Sequence, residues 1–487
     1  MTISAPAATC PLTQQPAGAP AARPRPIVVK YNVFFDGTGN NWYNVREREM
    51  AEREGSSDPR YAEGSYQNEV SNVARLFRYR PPRRAEGEER EASLYVQGIG
   101  TSRAESDSGS GQALGMGSTG VVDRVSWAYN QAARDIASLA PDPEVPLTVE
   151  IRVFGFSRGA AAARHFVYRA VQGNYLNETL ARRLVRAKGY TQLTLSATFA
   201  GLFDTVASLG VYHGNDVREL DLDAIRHVTC RVVQLAAADE FRDNFSLTDI
   251  SSSENGIEVY LPGVHSDIGG GYRDSPTNDE VNLLVLELPW NPVYESQLNS
   301  STSMLLNTLT GAESPMVTQR REWNARLDQD QEWWLRHGWC RTTDQFSRTA
   351  NTLSITRRRL RYHYQFIPLH ILARFARRDG VGFTDALEEN TQVDANLAAL
   401  RTPSGQTVEE HLTAYAEGGR SSAADWRTPH DWLTRLRAGW FHMSAHYTAM
   451  YGLVTPMQPL FRTLSGEIGT DWTHRQHGRR ARRVYRG

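Results

Sequence analysis

The chain has 487 residues, room for two or three domains at about 150 residues each. With 40% hydrophobic and 22% charged residues, 54 Lys plus Arg against 55 Asp plus Glu, and a net charge of -1, it reads as globular with a large core and not as a general nucleic-acid binder, which would be basic over most of a domain. The three cysteines, Cys10, Cys230 and Cys340, are too few and too scattered for a disulfide framework or a Cys-based zinc site.

Residues 1–26 mix Pro, Ala and Thr without an apolar core or an early basic cluster. That excludes a secretory signal peptide and predicts a disordered leader, because too little apolar surface is present to offset the entropy of ordering it. No run approaches 18 apolar residues, so no membrane-spanning helix is expected. From Ile27 to about residue 290, short apolar runs alternate with amphipathic stretches, the pattern of an α/β fold. The spacing predicts strands at 27–35, 93–97, 147–154, 193–203, 229–237 and 257–261, and helices near 67–79, 120–139, 159–172 and 279–287. The near-continuous apolar character of 147–154 and 193–203 suits central strands covered on both faces. The expected architecture over 27–290 is therefore a mostly parallel sheet with helices on both faces. Residues 292–350 are polar and Trp-rich, and 354–487 read mostly as helices with Arg on the exposed faces, so 291–487 is expected to form a helix-rich region packed on the first. Only Lys30 and Lys188 are lysines. A GC-rich coding bias accounts for that; a taste for phosphate, which Arg grips with two prongs, is the other reading. The basic tail Arg475, Arg479, Arg480, Arg482, Arg483 and Arg486 suits contact with anionic lipid at about 1 kcal/mol per residue, docking on an acidic face of its own domain, or plain solvation.

The sharpest local signal is Gly155-Phe156-Ser157-Arg158-Gly159, directly after strand 147–154 and directly before an Ala-rich helix. Strand, tight turn and helix form the context that gives G-x-S-x-G meaning. Ser157 on a sharp turn projects its Oγ above the sheet, the flanking glycines let strand and helix approach closely, and the helix start offers the Arg158 N–H and a positive dipole end to a developing oxyanion. The plain alternative is a tight turn with a capping Ser.

A serine needs a base and a group to orient that base. Asp204 follows the apolar run 199–203 and opens Thr205-Val206-Ala207-Ser208, the place of the orienting acid; an ordinary turn Asp would look similar. For the base, strand 257–261 runs into Pro262-Gly263-Val264-His265-Ser266-Asp267-Ile268-Gly269-Gly270-Gly271-Tyr272, where His265 can reach across the sheet top. His442 and His446 are rival bases, and their i, i+4 spacing also reads as a metal pair, though no acidic third ligand accompanies them at motif spacing, so neither a metal nor a cofactor is expected. Asp267 is the rival acid, better suited to bracing the Gly-rich loop. The second oxyanion donor is assigned to Gly37 in Phe34-Phe35-Asp36-Gly37-Thr38-Gly39-Asn40-Asn41. A phosphate-cradling role for that loop lacks G-K-[ST] or a G-x-G-x-x-G opening a helix. The polar stretches 42–66 and 102–118 follow strand ends and are candidates to border the site.

Together FFDGTGNN (34–41), GIGT (98–101), GMG (115–117), GFSRGA (155–160), GLFDTVAS (201–208), LAAADEFRDNF (235–245) and PGVHSDIGGGY (262–272) resemble the DUF2235 hydrolase family, which includes the type VI secretion phospholipase effectors of the Tle1 type. The resemblance covers 27–290; beyond it only the Arg-rich ending matches, and loosely, and the Pro/Ala leader has no counterpart. It implies an α/β-hydrolase sheet and a triad of Ser157, Asp204 and His265. It also implies an antibacterial effector made in a bacterial cytoplasm and delivered by the type VI apparatus, on a VgrG-like spike carrier, into a neighbour's periplasm. There it would deacylate membrane phospholipids, with a cognate immunity protein as a further partner. A carboxylesterase for small soluble esters and a non-catalytic hydrolase-fold adaptor are the alternatives.

Overall fold

The computed structural model describes residues 25–62, 64–103, 120–173, 178–207, 217–240, 245–273, 279–284, 328, 331–342, 346–348, 353–358, 360–419, 422–442, 482 and 484–487. Its centre is a six-stranded sheet built from β1 (Ile27–Phe35), β2 (Glu89–Val96), β3 (Leu147–Phe156), β4 (Leu193–Phe203), β5 (Val228–Ala237) and β7 (Gly256–Leu261), in the order β2-β1-β3-β4-β5-β7. All five pairings are parallel, as strands joined through crossover helices require. The register aligns the strand ends: Phe35 opposite Val96 and Gly155, Phe156 opposite Phe203, Phe203 opposite Leu235, and Ala237 opposite Leu261. Loops leaving these carboxyl ends therefore share one edge, where open parallel sheets bind their ligands.

Alternation along each strand divides the core in two. Val29, Tyr31, Val33 and Phe35 of β1, with Val149, Ile151 and Val153 of β3, face the helices Val121–Leu139 and Arg158–Val167. On Val121–Leu139 the buried Val121, Val125, Ala128, Ala132, Ile136 and Leu139 recur every three or four residues, the stripe of a helix lying on a sheet. Phe34, Phe154, Phe199 and Leu235 point the other way and share a cluster with Ile367, Leu369, Leu372 and Phe375 of the helix Phe366–Arg378. The Phe34 and Phe154 rings stack at 4.6 Å there. That second cluster runs on to Trp339, Leu433 and Phe441 and also takes in Val73 and Leu76 of the helix Asn72–Arg78, so one face of the sheet is closed in large part by chain lying beyond residue 330. At about 1.5–3 kcal/mol per fully buried large apolar side chain, this cover is a large part of what holds the fold.

The region beyond 290 also reaches the sheet through polar groups: the Trp426 indole donates to the Tyr260 carbonyl at 2.8 Å, and Arg437 pairs with Asp239 at 2.9 Å, both buried. The helix expected near 279–287 is instead a strand, β8 (Asp279–Leu284), antiparallel to β10 (Leu353–Arg358), which also pairs β9 (Phe346–Arg348). Its partner lies some seventy residues on, out of reach of any local pattern. The helix Trp42–Arg53 was not predicted because its buried positions are Asn44, Val45, Arg48 and Ala51, a stripe too polar to announce itself. Among the described residues no helix is long and apolar enough to cross a membrane.

Candidate active site

Ser157 leaves β3 and caps the helix Arg158–Val167 with φ 59° and ψ -129°, a conformation that a residue with a Cβ adopts at a cost of about 1–3 kcal/mol. The neighbouring glycines are what make the turn possible. A Cβ on Gly155 would lie 2.5 Å from Ala160 Cα, and one on Gly159 would lie 2.2 Å from the Asp36 carbonyl oxygen. The helix thus rides directly on the ends of β1 and β3. Backbone bonds tie the turn to its neighbour: the Ser157 N–H donates to the Phe203 carbonyl at 3.0 Å, and the Val206 N–H to the Ser157 carbonyl at 3.3 Å.

Those bonds place Ser157 beside Asp204, the first residue past β4, fully buried and also at positive φ, 47°. His265, the first residue of the short helix His265–Gly269 that follows β7, donates through Nδ1 to Asp204 Oδ2 at 2.5 Å. A carboxylate there can only accept, so the proton sits on Nδ1 and the ring's basic nitrogen is Nε2. The imidazole meets two rings, Phe156 tilted at 4.6 Å and Phe245 edge to face at 4.9 Å, and Phe156 immediately precedes the serine. The structure therefore brings Ser157, Asp204 and His265 to one edge of the sheet.

Asp204 has further partners. Its Oδ1 accepts from the Ala237 N–H at 2.8 Å and from Arg482 Nη1 at 2.5 Å, and its Oδ2 accepts from Arg482 Nη2 at 2.9 Å. Burial alone would raise this carboxyl, but the Arg482 guanidinium and the His265 imidazole outweigh it and hold Asp204 well below the usual carboxylate range. Arg482 belongs to the basic tail, for which docking on an acidic group of its own domain was one of the readings; Arg475, Arg479, Arg480 and Arg483 lie outside the described residues.

The loop carrying His265 is fastened from several sides. The Gly263 N–H donates to Asp239 Oδ2 at 2.9 Å and the His265 N–H to Glu240 Oε2 at 3.2 Å. The Tyr364 hydroxyl donates to the Pro262 carbonyl at 2.6 Å, and the Gly271 N–H to Gln365 Oε1 at 2.9 Å. Asp267 serves other groups. It accepts from the Val264 N–H at 3.0 Å and from His442 Nδ1 at 2.9 Å, with the His442 ring stacked on Tyr272. Both rivals are thereby paired with each other, and Asp267 braces the loop; His446 lies outside the described residues. The roles of Asp239, Glu240 and Phe245 escaped sequence reasoning although their motif, 235–245, stood out.

Gly37 packs its backbone against the Phe156 ring, where a Cβ would lie 2.4 Å from a ring carbon. Its N–H donates to Asp36 Oδ1 at 2.8 Å, so in this state it is engaged within its own loop. Asp36 also accepts from the hydroxyls of Ser71 and Tyr95, both at 2.5 Å. Burial pushes the Asp36 carboxyl up to about 6, against the pull of those donors. The Arg158 side chain turns back to Thr38 Oγ1 at 2.8 Å, linking the nucleophile turn to the same loop, while its N–H opens a helix, where N–H groups have no intrahelical acceptor. Of the stretches expected to border the site, 42–53 is helical and 104–118 lies outside the described residues. Among the described residues no group of three or more His, Cys, Asp or Glu is placed to hold a metal ion.

Residues 30–171 and 175–290 match the family of the type VI secretion phospholipase effector, Tle1-like, catalytic domain. Among solved structures, the chain is similar to the Tle1 effector bound to the VgrG spike from the type VI secretion system, with a TM-score of 0.56 and 20% identity over 90% of this chain and 88% of that one; the likeness supports the fold. An uncharacterised protein from Pseudomonas aeruginosa aligns at 18% identity over 92% of this chain and 68% of its own, with a TM-score of 0.34. No curated protein matches.

Proposed function

The chain belongs to the Tle1-like family of type VI secretion phospholipase effectors, and from that membership we propose that it is a serine phospholipase of the A type, releasing fatty acid from membrane phospholipids through Ser157, Asp204 and His265. The observation that carries this reading is the 2.5 Å bond from His265 Nδ1 to Asp204, made at the sheet edge where Ser157 sits on its strained turn. His265 Nε2 takes the Ser157 proton as Oγ attacks the ester carbonyl. Asp204 holds the imidazole tautomer and stabilises the imidazolium that forms. The Arg158 N–H, at the positive end of its helix, and the Gly37 N–H, turning from Asp36, hold the tetrahedral oxyanion. His265 then returns the proton to the leaving alcohol, and water, activated by the same imidazole, releases the fatty acid.

Delivery follows the same reading. A VgrG-like spike protein carries the chain out of the producing cell and into the periplasm of a target bacterium, where the phospholipid substrate lies. A cognate immunity protein guards the producer's kin.

The test is fatty-acid release from phospholipid vesicles by the full-length protein beside Ser157→Ala, which is expected to lower turnover by roughly 10⁴–10⁶-fold with the fold intact. Release by wild type alone supports the serine phospholipase. Full activity in the variant removes Ser157 from the mechanism. A Ser157 that labels with a fluorophosphonate but releases nothing from any vesicle would point to an esterase of small soluble substrates, and neither release nor labelling to a non-catalytic adaptor.

A further inference from the structure

We infer that Arg482 is a positioning residue of this active site: carried on the basic tail, well outside the matched catalytic region, it fixes the carboxylate that orients His265. The inference rests on the serine-hydrolase reading above. An ionised carboxylate has about four acceptor positions, and at Asp204 four donors fill them: the Ala237 N–H, His265 Nδ1 and the two Arg482 nitrogens. The two-pronged bond sets the carboxylate plane as well as its place. Arg482 Nε donates in addition to the Phe245 carbonyl at 2.5 Å, and the Phe245 ring meets the His265 imidazole edge to face at 4.9 Å. One guanidinium thus holds both the orienting acid and a wall of the base's slot, with its side chain 5% exposed.

Charge gives the arrangement a second effect. A fully buried Asp204 without a cation would favour a proton on the imidazole, parking His265 as imidazolium and unfit to act as a base. The Arg482 charge, paired with the same carboxylate, offsets that pull. Other ionisable groups on the elements packed here are the Glu240 carboxylate at the His265 N–H, the Asp239 carboxylate at the Gly263 N–H with its partner Arg437, Asp267 with His442, and the Tyr260 hydroxyl on β7.

Arg482 is delivered by backbone, not by its own side chain. Beside it, β11 (Val484–Tyr485) pairs in parallel with β6 (Leu247–Thr248). The Asp249 N–H donates to the Tyr485 carbonyl at 2.9 Å, and the Gly487 N–H to Asp249 Oδ1 at 2.9 Å. A substitution at 482 removes the two-pronged bond and leaves these anchors.

The experiment uses the full-length protein and a water-soluble nitrophenyl ester, so that membrane binding plays no part. Wild type, Ser157→Ala, Arg482→Ala and Arg482→Lys are compared across pH, with thermal melting as the check on folding. Arg482→Ala is expected to lower kcat about 10–100-fold with KM within about twofold, as outer partners of catalytic groups commonly do. The acid limb of its kcat/KM profile is expected to move to higher pH, and millimolar guanidinium to restore part of kcat in this variant and not in wild type. Arg482→Lys, which keeps the charge without the fork, should fall between. A folded Arg482→Ala with kcat within about twofold of wild type, or with a loss that neither shifts the profile nor responds to guanidinium, overturns the inference. Should Arg482→Ala not fold, Arg482→Lys decides: reduced kcat supports the inference, and wild-type kcat and profile overturn it. Ser157→Ala separates the two claims, because an active Ser157→Ala variant sinks the serine mechanism, whereas Ser157-dependent activity with an indifferent Arg482→Ala sinks only the role of Arg482.

Discussion

Gly159→Ala probes how tightly the nucleophile turn is built. A Cβ there would lie 2.2 Å from the Asp36 oxygen and 2.5 Å from the Phe35 oxygen, where ordinary contact begins at 3.4 Å. Both obstacles are backbone at the end of β1, a strand paired on one side with β2 and on the other with β3, so they yield little. The helix Arg158–Val167 must lift instead, by about 1 Å, and it carries Ser157 with it. Overpacking of this kind costs about 1–3 kcal/mol of stability, and misplacing a reacting atom by about 1 Å costs on the order of 100-fold in rate. Activity should therefore fall much further than stability. Hydrolysis of a short-chain nitrophenyl ester, fluorophosphonate labelling of Ser157 and thermal melting measure both. Gly382→Ala is the control, since its new Cβ would find nothing nearer than Pro81 Cγ at 3.8 Å, and it should change stability by less than about 0.5 kcal/mol. A Gly159→Ala enzyme as active as Gly382→Ala would refute the close-approach argument.

Two further predictions concern buried charge. Arg437→Met leaves the Asp239 carboxylate without its cation and removes bonds to the carbonyls of Trp426 and His337, so denaturant melts should show a loss of about 3–5 kcal/mol, recovered in part by adding Asp239→Asn; no loss would mean the pair is solvated in solution. Asp36, pushed up to about 6, contributes stability that is full below its unfolded value near 4 and lost as pH rises through 6. Asp36→Asn should therefore gain on wild type by about 2–2.5 kcal/mol between pH 4 and 7; a constant difference across that range would place the Asp36 pKa elsewhere.

The strands were legible because their apolar runs are local: 27–35 and 193–203 match β1 and β4 end for end. Ser157 was legible for a related reason, since strand, glycine, serine and helix follow one another in ten residues. Asp204 and His265 were readable only as residues standing just past strands. What stayed hidden came from pairing across long separations. Nothing in the sequence near Asp239 announces Arg437, and nothing near Asp204 announces Arg482. The bond between His442 and Asp267, the rival base and the rival acid, was equally hidden, because the two stand 175 residues apart. The strand β8, where the spacing predicts a helix, is set by pairing with β10 some seventy residues on.

The cover over the Phe34, Phe154 and Phe199 face, supplied by Phe366–Arg378, has a consequence in time. At about 5–20 residues per second, a ribosome takes roughly 10–40 s to go from His265 to Arg482. Through that interval Ser157, Asp204 and His265 already exist as covalent chain, but one side of their sheet lacks much of its apolar cover and Asp204 lacks the Arg482 guanidinium. The nascent polypeptide therefore carries every proposed triad residue well before it carries the side chains that pack around and pair with them.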